Sequence, residues 1–354
     1  MDGLPDCSGR FMADGPAHGL RKAGSMMESL PADPHAEQLV RSLIDIAGED
    51  QIRTILLFGS RLVQASPDRF SAYDLVLVVE NYRGFYDALA RAGLSRRPPA
   101  LQAALSHLLA PNVIAFAPEG WDDGPVAKTM VIEPATVVCA LSRRAPDHFM
   151  KGRLVQRVAL LHARDRAASD WITGLVAGAR HDILRWVGPF LGESFTPDEA
   201  ALRMLQVSYR GEVRPESTDR VLDMFESQRP FLPDLLAMVL ADAADAGELT
   251  RAGQSYQFVR PPSSLECWSV QFYFTCSKIR ATARWLKHVV TFDNWLDYIA
   301  RKVERRMGMR VEITPWERRL PYLLLWPKIM RVLKARPARS KTGAAEELRS
   351  GAPR

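Results

Sequence analysis

The stretch "LLFGSRLVQASPDRFSAYDLVLVVE", from Leu56 to Glu80, constrains this chain more than any other. Two apolar runs of strand composition flank a Gly-Ser turn, and a lone aspartate, Asp74, opens the second run. Gly59 lets the backbone come close to a polyphosphate. The Ser60 hydroxyl and the amides of a helix start can bind its oxygens. A carboxylate on the neighbouring strand can hold Mg2+ that bridges those phosphates. Asp74 follows Ser60 by 14 residues, the spacing such an element needs. Metal sites of this kind usually carry two carboxylates one residue apart, and here Ala72 and Val76 occupy those positions. Glu80 shares the Asp74 face by strand parity but lies ~20 Å along the strand. Glu133, ending "MVIE", is the candidate partner if its strand pairs alongside; Asp122 and Asp123, in a loop, are two more.

With 354 residues the chain is long enough for two or three domains. Its four cysteines (Cys7, Cys139, Cys267, Cys276) form no C-x-x-C pair, so neither a zinc site nor a disulfide frame is expected, and reduced thiols of an intracellular protein are. The N-terminal residues lack the apolar run of a signal peptide, and residues 1–32 are expected to be disordered. No window of ~18 apolar residues offers a membrane span. The net charge of +6 is uneven: from Arg301 to Arg339 there are 12 Lys/Arg against three Glu. Such an end suits an anionic surface, either nucleic acid or lipid headgroups.

Periodicity predicts a helix over residues 36–50, strands at "IRTILLF", "SAYDLVLVVE", "NVIAFAP" and "VAKTMVIEP", and helix from "ATVVCALSR" to about Arg166. From Trp171 to about Ala244 consecutive helices are expected; "SFTPDEAALRML" starts one with Thr196 at the N-cap and Pro197 in the first turn. Gly and Pro in "GELTRAGQSYQFVRPPSS" break the pattern before a further helical run from about Leu265 to Arg306. The expected fold is an α/β nucleotidyltransferase-like domain, a mixed sheet with helices, over 36–165. A mainly helical substrate-cleft domain follows over 166–290, then a basic amphipathic segment over 291–338 and a disordered tail over 339–354. In the amphipathic segment Leu320, Leu323, Leu324, Trp326, Ile329, Met330 and Leu333 interleave with Arg318, Arg319, Lys328, Arg331 and Lys334, a composition suited to an anionic bilayer surface.

Five segments, in order from about residue 52 to 290, resemble the mitochondrial-type CDP-diacylglycerol synthases of the translocator assembly and maintenance family. They are "FGSRLVQ", "AYDLVLVVENY", "AKTMVIEPATVVCALSRRAPDHFMKGRL", "SFTPDEAALRMLQVSYRGEVR" and "VRPPSSLECWSVQFYFTCSKIR". Such peripheral phosphatidate cytidylyltransferases belong to the nucleotidyltransferase superfamily. The resemblance implies CTP and phosphatidic acid as substrates, Mg2+ as cofactor, pyrophosphate as by-product, and a cytoplasmic place at the inner face of a membrane. It implies no nucleic-acid partner and leaves the oligomeric state open. The single aspartate is shared with that family. Arg61 after the Gly-Ser and Thr129-Met130 after Lys128 depart from it.

On this reading Gly59 and Ser60 hold the triphosphate, Asp74 ligates Mg2+, and Lys128 reaches the triphosphate or the acceptor phosphate. Arg153 forks onto a phosphate. Tyr209, Glu212 and Arg214 in "SYRGEVR" wall the substrate cleft, and Arg260, Ser263 and Ser264 contact substrate, although a helix cap accounts for the serines equally well. Two other functions fit the same residues: a small-substrate or protein-modifying nucleotidyltransferase, or a catalytically degenerate fold that binds lipid or RNA.

Overall fold

The computed structural model describes Met27, residues 33–63, 71–95, 97–118, 124–210 and 218–291, with Thr314 and Trp316. The chain divides into two units, 1–293 and 294–354, and the sheet and its helices belong to the first. The expectations for the N-terminal 1–32, the basic 291–338 segment and the 339–354 tail fall almost wholly outside the described residues.

Helix α1 (Pro34–Ala47) opens the fold, capped by the Asp33 carboxylate, which accepts from the His35 and Ala36 amides. Strand β1 (Ile52–Phe58) runs into the short turn of helix α2 (Ser60–Val63), and β2 (Tyr73–Val79) returns antiparallel to β1. Helices α3 (Tyr82–Arg91) and α4 (Pro99–Leu108) lead to β3 (Asn112–Phe116) and β4 (Ala127–Ile132). Next come α5 (Pro134–Leu141), the single turn α6 (Lys151–Leu154) and β5 (Val158–Ala163). The sheet order is β3-β4-β2-β1-β5, mixed because β2 and β4 are parallel while the other neighbours are antiparallel.

Strand alternation divides the sheet's side chains between two cores. Ile55, Leu57, Leu75, Leu77 and Val131 face one way, onto Leu39 and Leu43 of α1 and Phe85 and Leu89 of α3. Leu56, Phe58, Val76, Val78, Met130 and Ile132 face the other way, onto the later helices. These are α7 (Arg166–His181), α8 (Ile183–Val187), α9 (Pro197–Arg210), α10 (Thr218–Ser227) and α11 (Leu232–Asp245). The second core thus runs without interruption from the sheet across residue 165 into the helices. The mixed α/β sheet followed by helices is the architecture that the sequence predicts.

Two elements differ from the sequence reading. The run before Arg166 is not all helix: Val158–Ala163 is an edge strand, registered against β1 from Thr54↔Ala163 to Phe58↔Val158. Six residues of "VALLHA" are too few for periodicity to separate strand from helix, and the open edge of β1 decides. The Gly-rich break is a hairpin, β6 (Leu249–Ala252) and β7 (Ser255–Phe258), turning at Gly253 with φ +66°. A two-residue Gly-Gln loop is a hairpin signal that the sequence does carry.

The start of α9 follows expectation. Thr196 and Glu199 form a reciprocal cap, with the Thr196 amide donating to the Glu199 carboxylate and the Glu199 amide donating to Thr196 Oγ1. The last described helix, α12 (Ser264–Thr291), has 28 residues, about 42 Å at the usual rise. No helix among the described residues is long and apolar enough to cross a membrane.

Candidate nucleotidyl-transfer site

The opening motif folds as its spacing requires. Gly59 leaves β1 with φ +81°, a conformation that L side chains resist, and Ser60 starts α2. The carbonyl of Gly59 accepts from the Leu62 and Val63 amides, which closes the turn. The Asp74 carboxylate packs directly on Gly59: a Cβ built there would lie 2.7 Å from Asp74 Oδ2. The glycine thus serves two purposes, a positive φ and room for the carboxylate.

Across the sheet one row reads Ala115, Lys128, Asp74, Phe58, Val158. Neighbouring strands lie ~4.8 Å apart, so Lys128 and Asp74 are immediate neighbours. Both share parity with residues of the second core (Val76 and Val78 on β2, Met130 and Ile132 on β4), so both project toward the helical half. A carboxylate and an ammonium side by side, next to a glycine turn, can hold a metal-bound polyphosphate: the acid takes the cation and the lysine takes a phosphate oxygen.

A cluster of cationic groups from α6 and the C-terminal turns of α12 lies on the Lys128 side. Arg153 donates to the Phe149 carbonyl at 2.7 Å, and its guanidinium stacks 3.9 Å from the centre of the Phe149 ring. Arg284 lies on the same ring at 4.3 Å. Arg284 also donates to the Ala110 carbonyl and, at 2.6 Å, to Asp147, which takes a second ion pair from Arg280 at 2.9 Å. Lys287 donates to the carbonyls of Leu105, Leu109 and Pro111 and so clasps the end of α4 to α12. His288 lies among these groups. Burial first, then the charges of Lys287, Arg284, Lys128 and Arg153, push its pKa down to about 3, so its imidazole is neutral at physiological pH. Buried Arg284 Nη1 and His288 Nδ1 have no hydrogen-bond partner among the described residues.

Gly59, Ser60, Asp74 and Lys128 therefore lie side by side at one end of the sheet, and Lys128 and Arg153 both lie near His288. Tyr209 sits at the end of α9, half-buried, one residue from Ser208, whose Oγ bonds His148 Nε2 and whose Cβ faces Gly152 of α6. Glu212 and Arg214, like Asp122 and Asp123, lie outside the described residues.

Glu133 is not the metal partner. The parallel register puts Lys128 beside Asp74 and leaves Glu133 beyond the far end of β4, about 17 Å away at the strand rise. Its carboxylate accepts instead from the Tyr82 amide at 2.7 Å. Arg260, Ser263 and Ser264 are also apart from the site. Ser263 caps α12 by exchanging bonds with Glu266, and Arg260 pairs with that same Glu266. His288, near Lys128, lies 25 residues further along the helix, about 37 Å from Ser263. Capping accounts for Ser263, and the ion pair with Glu266 for Arg260.

Sequence reasoning missed Arg284 and His288. The signal was present: Arg280, Arg284 and Lys287 recur at spacings of four and three, one face of a helix. Among the described residues no group of three or more His, Cys, Asp or Glu side chains converges as a metal site. One carboxylate suits Mg2+ that arrives with a nucleotide, since Mg2+ commonly takes one or two carboxylates plus phosphate oxygens and water.

Comparison with known proteins agrees on the chemistry of this element. Residues 35–89, which hold α1, β1, the Gly-Ser turn, β2 and most of α3, match the streptomycin adenylyltransferase family model. No curated protein matches the chain. The matched segment is similar to a nucleotidyltransferase, and its shared part is the element that joins Gly59 to Asp74.

Proposed function

We propose that this chain is a Mg2+-dependent nucleotidyltransferase. The observation that carries the reading is the Asp74 carboxylate seated on the positive-φ Gly59, with Lys128 next to it in the same row of the sheet. Mg2+, when bound at Asp74, supplies charge neutralisation to the donor triphosphate. Gly59 and Ser60 give the phosphates a close backbone approach, and Lys128 neutralises an oxygen that gains charge as pyrophosphate leaves. Alignment of acceptor and α-phosphorus is the remaining requirement.

For the acceptor, the proposal is phosphatidic acid with CTP as donor, giving CDP-diacylglycerol and pyrophosphate at the inner face of a membrane. Its support is the group of cations Lys128, Arg153 and Arg284 gathered around His288, charges that suit an anionic acceptor. An acceptor that is already an anion needs no strong general base, and none stands beside Asp74 in that row. A small-molecule acceptor is the second reading, and the match to streptomycin adenylyltransferase supports it at least as well.

The deciding assay is pyrophosphate release by the full chain with Mg2+ and either CTP or ATP, offered phosphatidate vesicles or a panel of small acceptors. CDP-diacylglycerol from CTP and vesicles establishes the lipid reading; transfer to a soluble acceptor without vesicles replaces it. No Mg2+-dependent nucleotide binding by calorimetry, with salt-sensitive binding to lipid or RNA, would identify a degenerate scaffold.

A further inference from the structure

One face of α12 has no role in the site. Leu265, Trp268, Phe272 and Ile279 are 74%, 62%, 56% and 64% exposed, unusual for large apolar side chains on one helix. With Thr275 and Thr282 they recur at intervals of 3, 4, 3, 4 and 3 residues, the seam of a helix that packs along another helix. The Trp268 and Phe272 rings stack, 5.5 Å apart and 12° from parallel. The two threonines complete the seam because their hydroxyls are already satisfied. Thr275 Oγ1 donates to the Gln271 carbonyl and Thr282 Oγ1 to the Lys278 carbonyl, so burial leaves no new unmet donor. The opposite face, with Ser277, Ala281 and Arg284, is buried in the protein.

We infer that this seam pairs antiparallel with the α12 seam of a second copy of the chain. Antiparallel packing sets Leu265 against Thr282 of the second copy, Trp268 against Ile279, and Phe272 against Thr275. Every layer then combines a larger side chain with a smaller one, the alternation that fills a helical interface. Parallel packing would put Trp268 on Trp268 and Phe272 on Phe272 and leave the threonine layers underfilled.

Charge favours the same occupant. Glu266 is held by Arg260 and Ser263, and Arg280 by Asp147, which leaves Lys278 as the other charged residue from 264 to 282. A nearly neutral seam meets its own copy without repulsion and lacks the basic fringe of an anionic-bilayer surface. Two aromatic and two aliphatic side chains, each more than half exposed, amount to roughly 400–500 Å² per copy, below the ~800 Å² per partner of a stable complex. The dimer is therefore expected to be weak and dependent on protein concentration.

Sedimentation velocity over a concentration series of the full chain tests this. The wild type is expected to shift from monomer to dimer across the micromolar range. Trp268→Glu and Ile279→Lys are each expected to stay monomeric, with circular dichroism and melting unchanged because both side chains project outward. Mixing the two variants in equal amounts should restore the dimer, since the introduced carboxylate at position 268 meets the introduced ammonium at position 279 only in the antiparallel register. A wild type that remains monomeric at tens of micromolar overturns the proposal, as does a mixture that stays monomeric. If the wild type is monomeric and the variants lose binding to phosphatidylcholine vesicles, the seam faces lipid and the proposal is wrong.

Discussion

Replacing Gly59 by alanine imposes two penalties that can be measured apart. The first is conformational: a left-handed φ costs an L-residue about 1–2 kcal/mol, and Gly59 sits at φ +81°. The second is steric and falls on the Asp74 carboxylate, because the added Cβ would lie 2.7 Å from Asp74 Oδ2. The carboxylate must retreat by roughly 0.5–1 Å to reach an ordinary contact distance. A displacement of about 1 Å at a reacting centre costs on the order of 10²-fold in rate. Gly93 provides the control: its φ is +72°, but a Cβ there meets nothing within 4 Å. Gly59→Ala and Gly93→Ala should therefore each lose about 1–2 kcal/mol in urea melts. Only Gly59→Ala should lose ~10²-fold in kcat/KM for Mg2+-dependent pyrophosphate release. Wild-type turnover in Gly59→Ala, or an equal loss in Gly93→Ala, would refute the assignment of Gly59 as the seat of Asp74.

Three other outcomes are expected. Asp74→Asn keeps the shape and removes the charge, so Mg2+-dependent nucleotide binding by calorimetry should disappear while the melting temperature holds or rises. Burial raises the Asp147 carboxyl pKa, but the Arg284 charge and the hydrogen bonds from Arg280, Arg284 and the Phe149 amide outweigh this and hold it below the ordinary aspartate range. Its stabilisation is therefore complete above the unfolded value of ~3.9 and is lost as pH falls through the lower folded value. Asp147→Asn should cost about 3–5 kcal/mol near neutrality, because Arg284 stays buried without its partner. It should also flatten the acid limb of a urea-midpoint-versus-pH curve; an unchanged limb would remove Asp147 as its cause. Ser263→Ala should lower stability by about 1 kcal/mol as a lost cap and leave nucleotide transfer untouched, whereas a selective rise in KM would return Ser263 to the site.

How much of the site was legible differs by residue. Gly59, Ser60 and Asp74 lie within 16 residues of one another, so their spacing alone pointed to a site. Thr196 and Glu199 were legible for the same reason, since a cap is a contact over three residues. Glu133 failed because the sequence names a strand but not its direction. An antiparallel β4 would have brought its end toward Asp74, and the parallel one brings Lys128. Ser263 failed because a motif's order in the chain says nothing of the ~37 Å that a helix inserts between its two ends.

The sequence by itself determined the elements whose cause is local: the glycine turn, the apolar strands, the helix caps and the lone carboxylate near the start of β2. Tertiary structure decided which side chains meet. Strand order and register put Lys128 beside Asp74. The packing of α12 on β3 and on the end of α4 brought His288 near Lys128, 160 residues before it in the chain. The physical reason is that turns and caps are settled by φ, ψ and hydrogen bonds within a few residues. Neighbours across a sheet or along a long helix are settled by which apolar faces are buried together, and no short window of the chain records that choice.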